Sequence, residues 1–318
     1  MCIRLCVLFP VIAALFPGGW AVAAQRVEQQ SFAVRPGCTV RLDAYRGAIR
    51  VETGADDTVL VRAVVEYASA DAARAEAVLG GFQLAAVTAG NEIRLIAHNP
   101  RDRGTRFTWD RDERPSVVYH LTVPVHCNLD LQTPDGAITV APLHGAMRAR
   151  ADQGAITFRQ VHGSVDAATR TGNIIVSRCT GPVTLKSVQG DVRIGTVGGR
   201  ASLQTVDGDI EIQTAYAGVV AATANGDVTA GFAKVPEQSR IKTSLGSIRA
   251  TVNPREAFSL HAAATFGKVL AKMDVEPLRG ASGRSKLRGT HQGGGPMLEF
   301  KAASGNVVIE PGEPLFAL

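Results

Sequence analysis

The chain has 318 residues, of which 45% are hydrophobic and 20% are charged, and it contains 33 glycines and few aromatic side chains. This composition excludes a disordered chain and leaves room for one large domain or two ordinary ones. The formal net charge of +5 is too small to indicate a nucleic-acid-binding protein.

Residues 1–24 are predicted to be a secretory signal peptide. Arg4 precedes an apolar stretch, and the small residues Ala21 and Ala23 form the A-x-A pattern of a cleavage site. The apolar stretch is shorter than the about 20 residues that a membrane-spanning helix needs. We therefore expect a mature chain that is exported to the periplasm or the cell surface and has no transmembrane segment.

Residues 25–130 are predicted to form a β-rich unit that caps the N-terminal end of the repeats that follow. An alanine-rich stretch from Ser69 to Leu79 predicts one helix, with Ser69 as its cap. Alternating apolar residues predict the strands Thr39–Asp43, Ala48–Glu52, Val59–Tyr67, Glu92–Ala97 and Val117–Val123.

The charged stretch His98–Pro115 holds the candidate contact with a partner. Tryptophan and arginine are the residue types most enriched at binding hot spots. The candidate residues are Arg106, Phe107, Trp109 and Arg111. A solvated loop without a partner is the alternative for this stretch.

A short phrase recurs through residues 131–312, as in DGAITV, TGNIIV and DGDIEI. The phrase returns every 18 residues, and a weaker glycine series falls nine residues later, so each repeat consists of two half-coils. The structural turn glycines of the main series are Gly136, Gly154, Gly172, Gly190, Gly208 and Gly226. Tight turns that need φ > 0 explain why glycine recurs at this point.

The columns of the repeat predict an all-β fold, a parallel β-helix or β-solenoid with 18-residue coils. A β-branched residue stands two positions after each main glycine, as in Ile156, Ile174 and Val192, and alternation places such residues on one side of a strand. A single repeat cannot bury this apolar side alone, so the coils are expected to stack in parallel. An antiparallel sandwich of hairpins is the alternative, because D-G and N-G also suit hairpin turns.

Three columns carry polar residues that could form sites. Asp191, Asp209 and Asp227 occupy one place in successive repeats and predict either a cation ladder or, as we favour, solvated turn aspartates. His144 and His162 also stack, but the column supplies no third ligand. We therefore expect no metal site and no cofactor. A column of hydroxyl residues is expected to form hydrogen bonds between coils; it consists of Thr169, Ser187, Thr205, Thr223 and Thr243.

Three cysteines remain after the predicted signal peptide. Cys38 and Cys127 could form a disulfide in an oxidising compartment, whereas three unpaired thiols, including Cys179, are the alternative. Further along, the glycine-rich stretch Glu276–Gly295 is expected to be an irregular loop between late coils, and it carries Arg279, Arg284, Lys286 and Arg288.

The sequence resembles the bacterial "putative adhesin" domain family, a family of unknown function. The resemblance rests on FAVRPGCTVRLDAYRGAIRVETG, on the junction VVYHLTVPVHCNLDLQTPDGAITV and on the T-x-x-G-D-[IV]-x-[IV] repeats, and it covers about residues 30–312. It implies a fold like a right-handed β-helix and a role in the cell envelope. It supplies no catalytic residues.

The sequence therefore predicts a non-catalytic envelope or surface protein, a scaffold that binds a macromolecule such as an envelope protein or a glycan. Nucleophile motifs such as G-x-S-x-G and phosphate-binding loops are absent from the sequence. The alternative is a carbohydrate-active β-helix enzyme, a polysaccharide lyase or glycoside hydrolase, which needs acids clustered on one face. Asp209 lies in the only such column.

Overall fold

The structure is a computed structural model that describes residues 22–69, 71–99 and 115–312. Contacts divide the chain into two compact units, the first ending at Gln153 and the second beginning at Gly154. Most of the predicted signal peptide lies outside the described residues. No helix within the described ranges combines the length and the apolar character that crossing a bilayer requires.

Unit 1 consists of eleven strands and one helix in its described residues. Its strands are β1 (Val22–Ala33), β2 (Cys38–Asp43), β3 (Ala48–Thr53), β4 (Thr58–Ser69), β5 (Gln83–Ala89), β6 (Glu92–His98), β7 (Ser116–Val123), β8 (Cys127–Asp135), β9 (Ile138–Val140), β10 (Leu143–His144) and β11 (Met147–Gln153). The helix α1 spans Ala72–Gly80. The five strands predicted in this region correspond to β2, β3, β4, β6 and β7.

The helix α1 begins later than predicted, because Asp71 and not Ser69 caps it. The Asp71 carboxylate accepts hydrogen bonds from the backbone N–H groups of Ala73 and Arg74. A carboxylate at this position satisfies two of the N–H groups that a helix leaves without partners at its start. Ser69 instead accepts a hydrogen bond from the Asp71 N–H and ends β4.

In unit 1, two strands that come early in the chain lie, within their sheets, between strands that come later in the chain. β2 pairs in parallel with both β6 and β8, and β3 pairs in parallel with both β7 and β9. The phrase RGAIRV, which contains most of β3, therefore lies in register with the first main repeat, where Ile49 pairs with Ile138. The long strands β1 and β4 add an antiparallel extension beyond β7.

Unit 2 contains only strands in its described residues. They are β12 (Ile156–His162), β13 (Val165–Thr171), β14 (Ile174–Cys179), β15 (Val183–Gln189), β16 (Val192–Val197), β17 (Ala201–Gln204), β18 (Ile210–Ala215), β19 (Val219–Asn225), β20 (Val228–Phe232), β21 (Ser239–Leu245), β22 (Ile248–Val252), β23 (Phe258–Ala264), β24 (Val269–Ala271), β25 (Glu276–Gly283), β26 (Lys286–His291), β27 (Met297–Ser304) and β28 (Val307–Pro311).

The repeats of unit 2 form two long parallel sheets. Even-numbered strands from β12 to β22 lie side by side in one sheet, and odd-numbered strands from β13 to β21 lie side by side in the other. Ile174 pairs with Val192, and Val192 pairs with Ile210. This parallel pairing confirms the all-β class and excludes a sandwich of antiparallel hairpins for these repeats.

The core of unit 2 lies between the two sheets. Alternate residues of each strand are buried, as the apolar columns predict, and Ile174, Leu185 and Ile194 are almost fully enclosed. The inner faces meet where the rings of Phe232 and Phe300, one from each sheet, lie 6.3 Å apart. The outward columns, by contrast, carry exposed polar side chains.

The C-terminal part of unit 2 departs from chain order. β27 lies between β21 and β23, and β28 lies between β22 and β24. The expectation of an irregular loop at Glu276–Gly295 is wrong, because β25 and β26 form an antiparallel hairpin that pairs with β23. The hairpin covers an open sheet edge, and that gain outweighs the weak strand propensity of its glycines.

Candidate binding surface

The predicted contact at Arg106, Phe107, Trp109 and Arg111 lies outside the residues that the structure describes. It falls in the connection between the end of β6 and the start of β7. Its role in binding therefore stays a prediction.

The six predicted turn glycines share one backbone conformation. Their φ angles lie between 140° and 151°, a region that side chains other than glycine rarely adopt. In unit 2 they also lie directly against one another, so a Cβ atom added to Gly208 would lie 2.3 Å from the carbonyl oxygen of Gly190. Both the conformation and the space therefore require glycine at this turn.

The aspartate column is bonded to the backbone. The Oδ1 atom of Asp191 accepts a hydrogen bond from the N–H of Asp209, and Asp209 Oδ1 accepts one from the N–H of Asp227. Asp227 in turn accepts from Ser247 N–H. These carboxylates tie each turn to the next, which supports the structural interpretation of the column over the cation ladder.

The hydroxyl groups of the hydroxyl column form hydrogen bonds within single repeats. The expectation that they join neighbouring repeats is therefore wrong. Thr205 Oγ1 donates to the carbonyl oxygen of Gly190, 15 residues earlier, and Thr223 does the same to Gly208. These hydroxyl groups are buried and satisfy carbonyls that would otherwise lack a partner.

The histidine column also contains His126, which pairs with His144 and was not among the predicted residues. In unit 1 the rings of His126 and His144 lie edge to face, with centroids 4.9 Å apart. In unit 2 His162 contacts the side chain of Gln160. Among the described residues, no three His, Cys, Asp or Glu side chains are grouped so that they could hold a metal ion.

Cys38 and Cys127 lie side by side on β2 and β8, where they are register partners. Their Sγ atoms are 3.2 Å apart, and both side chains are buried as thiols. Burial, together with the hydrogen bond and the charge of Cys38, raises the pKa of the Cys127 thiol far above its usual value. Cys179 is a separate buried thiol that donates to the carbonyl oxygen of Gly163.

Two rows of residues cross the outer surface of four neighbouring strands, β21, β27, β23 and β26. The first row consists of Arg240, Glu299, His261 and Arg288. The second row consists of Lys242, Lys301, Ala263 and Lys286. Adjacent strands are about 4.8 Å apart, so these side chains form one patch. Its five cations, which we call the basic face, are Arg240, Lys242, Lys286, Arg288 and Lys301.

Glu299, the one carboxylate within these two rows, already forms ion pairs with two of the five cations. Glu299 is only 10% exposed, its Oε2 lies 2.6 Å from Arg240 Nε, and its Oε1 contacts Lys301 Nζ. The hydrogen bond from Lys301 and then that from Arg240 lower the pKa of Glu299 to about 2, although burial acts in the opposite direction. Glu299 is therefore ionised at neutral pH and offsets one of the five cations.

The remaining charge on the basic face is positive. Burial lowers the pKa of His261, and the neighbouring charges of Arg288 and Lys301 lower it further, so this ring is neutral at neutral pH. Lys242 and Lys301 are register partners, and like charges directly opposite one another cost free energy. The next row contributes one acid, Glu276. An anionic partner would relieve the repulsion between the lysines.

Exposed apolar side chains flank the basic face. Leu245, at the end of β21, is 59% exposed, and Phe266, two residues after β23, is 83% exposed. In earlier repeats, Val188 on β15 and Val206, two residues after β17, are each 45% exposed. We call these four residues the apolar border. A cluster of exposed large apolar residues beside a charged patch is characteristic of an interaction site.

Lys286 and Arg288 stand out in the sequence as basic residues, but the sequence does not show that they belong to the basic face. Lys242 and Lys301 are 59 positions apart in the chain, and they meet only because β27 is inserted next to β21. The one clue available from sequence was that every second residue of these strands is polar and often basic.

Residues 180–310 match the family model described as Toastrack DUF4097. Over these residues, which are less than half of the chain, the sequence is similar to the Toastrack family. The family resemblance predicted from the sequence is thereby confirmed. Every residue of the basic face and of the apolar border lies within the stretch that matches the Toastrack model.

Several solved structures are similar to the chain at low sequence identity. A "putative lipid binding protein" from Parabacteroides distasonis is 12% identical, with a TM-score of 0.44, over 88% of this chain and 96% of that one. A "putative adhesin" from Bacteroides fragilis is 15% identical, with a TM-score of 0.39, over 90% and 96%. A "putative cell adhesion protein" from Clostridium sporogenes is 9% identical, with a TM-score of 0.24, over 90% and 100%. No curated protein sequence matches the chain.

Proposed function

We propose that this protein is a non-catalytic binding scaffold of the bacterial cell envelope. The observation that carries the proposal is the outer surface of unit 2, where the basic face is exposed beside the apolar border. The acids that an enzyme would need are used differently, since Asp191 and Asp209 accept hydrogen bonds from the backbone of the next turn. Binding of a partner is the activity that such a surface supports.

The scaffold is a β-solenoid of 18-residue coils, and residues 25–130 form a β-rich unit that caps it. Register supports the coil length, because Val165 pairs with Val183, and Val183 with Ala201, each 18 residues further along. The antiparallel strands β1 and β4 support the capping role, since they extend a sheet of unit 1 beyond its parallel strands. Residues 131–312 are the solenoid in this proposal.

The protein acts outside the cytoplasm, in the periplasm or at the cell surface, after removal of residues 1–24. The A-x-A pattern that ends at Ala23 supports export. The partner is an envelope component and not a nucleic acid, because an exported chain does not meet the genome. Arg106, Phe107, Trp109 and Arg111 provide a second contact, supported by the residue types alone.

Two measurements on the purified protein test this function. The first is sedimentation with isolated cell envelopes, where we expect the protein to bind. The second is a screen for cleavage of bacterial and plant polysaccharides, where we expect no turnover. Turnover that disappears in an Asp209→Asn variant, with folding preserved, would replace the scaffold by a carbohydrate-active enzyme. Trp109→Ala tests the second contact and should weaken envelope binding without changing thermal stability.

A further inference from the structure

We infer that the basic face and the apolar border dock together onto a bilayer surface that contains anionic phospholipids. This inference rests on the proposed binding function and names the partner of one surface. It is carried by charge and by exposed apolar area, which occur side by side on the same sheet of unit 2.

The charge of the basic face suits a surface of closely spaced phosphates. Lys242 and Lys301 on adjacent strands, with Arg288 and Lys286 on β26, present cations in two dimensions rather than along a line. Anionic leaflets attract basic clusters of four to eight residues, at about 1 kcal/mol for each Lys or Arg near the surface. Glu299 removes one charge of the five but leaves the other four unmatched within the two rows.

The apolar border distinguishes a bilayer from other anionic partners. Leu245 ends β21 and Phe266 follows β23. The end of β27 lies between them, since Leu245 pairs with Ser304 and the Phe266 N–H donates to the carbonyl oxygen of Ala303. An acidic polysaccharide or a nucleic acid would neutralise the lysines but would leave these side chains in water. A bilayer offers phosphates to the cations and, a few ångströms deeper, hydrocarbon to the apolar side chains.

The test is co-sedimentation of the purified protein with vesicles of phosphatidylcholine, either alone or with about 30% phosphatidylglycerol, because only the mixture carries a negative surface potential. We expect binding to the mixed vesicles at about 0.05 M salt, and weaker binding at about 0.5 M salt, where charges are screened. We expect little binding to phosphatidylcholine alone.

Two variants locate the binding on the protein. Lys242→Gln combined with Lys286→Gln, which leaves the Lys301–Glu299 pair intact, should lower the partition coefficient about 30-fold, because two surface charges are lost. Phe266→Ser should lower it about 10-fold at either salt concentration, because an inserted ring contributes burial that salt does not screen. Thermal melting must match the wild type for each variant, so that a loss of binding is not a loss of folding.

A matched control removes the same charge elsewhere in unit 2. Arg249 and Lys272 are both more than half exposed and contact Glu310, which pairs with Thr251 on the other sheet. Arg249→Gln combined with Lys272→Gln changes the net charge as much as the lysine pair does. We expect its partition coefficient to fall by less than about threefold, since only long-range attraction is lost.

Three results would overturn the inference. The first is a wild type that does not bind the mixed vesicles. The second is a control pair that loses as much affinity as the lysine pair. The third is normal binding by Phe266→Ser together with displacement of the vesicles by polyglutamate or duplex DNA. The last result would assign the face to an anionic polymer. None of them involves turnover, so the scaffold function fails only in the polysaccharide screen or in envelope sedimentation.

Discussion

Replacing a turn glycine by alanine tests whether the repeats stack as closely as the structure requires. Gly208 has φ of +151°, and its added Cβ atom would lie 2.3 Å from the Gly190 carbonyl oxygen and 2.6 Å from the carbonyl carbon. Both neighbouring atoms belong to the backbone, so relief requires two adjacent repeats to separate. Separation would also strain the pairing of Ile210 with Val192.

The cost of Gly208→Ala has two parts. A non-glycine residue in this region of φ costs about 1–3 kcal/mol. Forcing a methyl group into a filled space costs about 1–3 kcal/mol more. We therefore expect the free energy of unfolding of unit 2 to fall by about 2–6 kcal/mol, measured by urea titration followed by circular dichroism.

A control in the same unit separates the two parts. Gly293 also has a positive φ, +80°, but its Cβ atom would meet nothing within 4 Å. Gly293→Ala should therefore cost only about 1–2 kcal/mol, the cost of the left-handed conformation. If Gly208→Ala cost no more than Gly293→Ala, the close stacking of turn on turn would be refuted.

Three further predictions concern buried polar groups. Thr205→Val should destabilise the protein by about 1–2 kcal/mol, because the Gly190 carbonyl loses its buried donor, whereas Thr229→Val on the exposed surface should change stability by less than about 0.5 kcal/mol in the same titration. The lowered pKa of Glu299 predicts stability that is complete above about pH 4.5 and is lost as the pH falls toward 2. Glu299→Gln should remove this part of the pH dependence, about 1–2 kcal/mol after allowance for the exposure of its partners. Refolding with oxidised glutathione should join Cys38 to Cys127, with two reduced glutathione molecules released and the protein lighter by two hydrogens in mass spectrometry. Reduction should then lower stability by up to about 4–5 kcal/mol, and Cys127→Ser should show no such change.

Much of the fold of unit 2 could be predicted from the sequence, because one repeat constrains the next. Ile174, Val192 and Ile210 occupy one column of the sequence and one buried row of the structure. Apolar alternation fixes which side of a strand faces the core, and the glycine spacing fixes where the chain turns.

The order of the terminal strands could not be predicted in the same way. The apolar pattern of β27 fits equally well beside β21 or beyond β23, because every inward column has similar side chains. The choice depends on tertiary contacts, such as the packing of Phe300 against Phe232. The local sequence pattern also gave a wrong prediction for β25 and β26. Their glycines have weak strand propensity, but β26 forms a strand because the edge of β23 provides a pairing partner.

The basic face could not be predicted from the sequence either, because it depends on the order of the terminal strands. Its residues come from β21, β26 and β27, and two of these strands were expected elsewhere or not at all. The candidate contact at Trp109, by contrast, was chosen by residue type without any geometry. A surface site whose residues are brought together by strand pairing can be recognised only once the order of the strands is known.

The most direct test of the docking surface is a fluorescent label on the apolar border. The described native cysteines are buried, so an environment-sensitive dye such as NBD can be attached at Phe266→Cys, with Thr229→Cys on the other sheet as the control. With vesicles that contain phosphatidylglycerol, we expect the emission at position 266 to shift to the blue and strengthen, and the emission at position 229 to stay unchanged. Equal responses at both positions, or no response at position 266, would contradict the account.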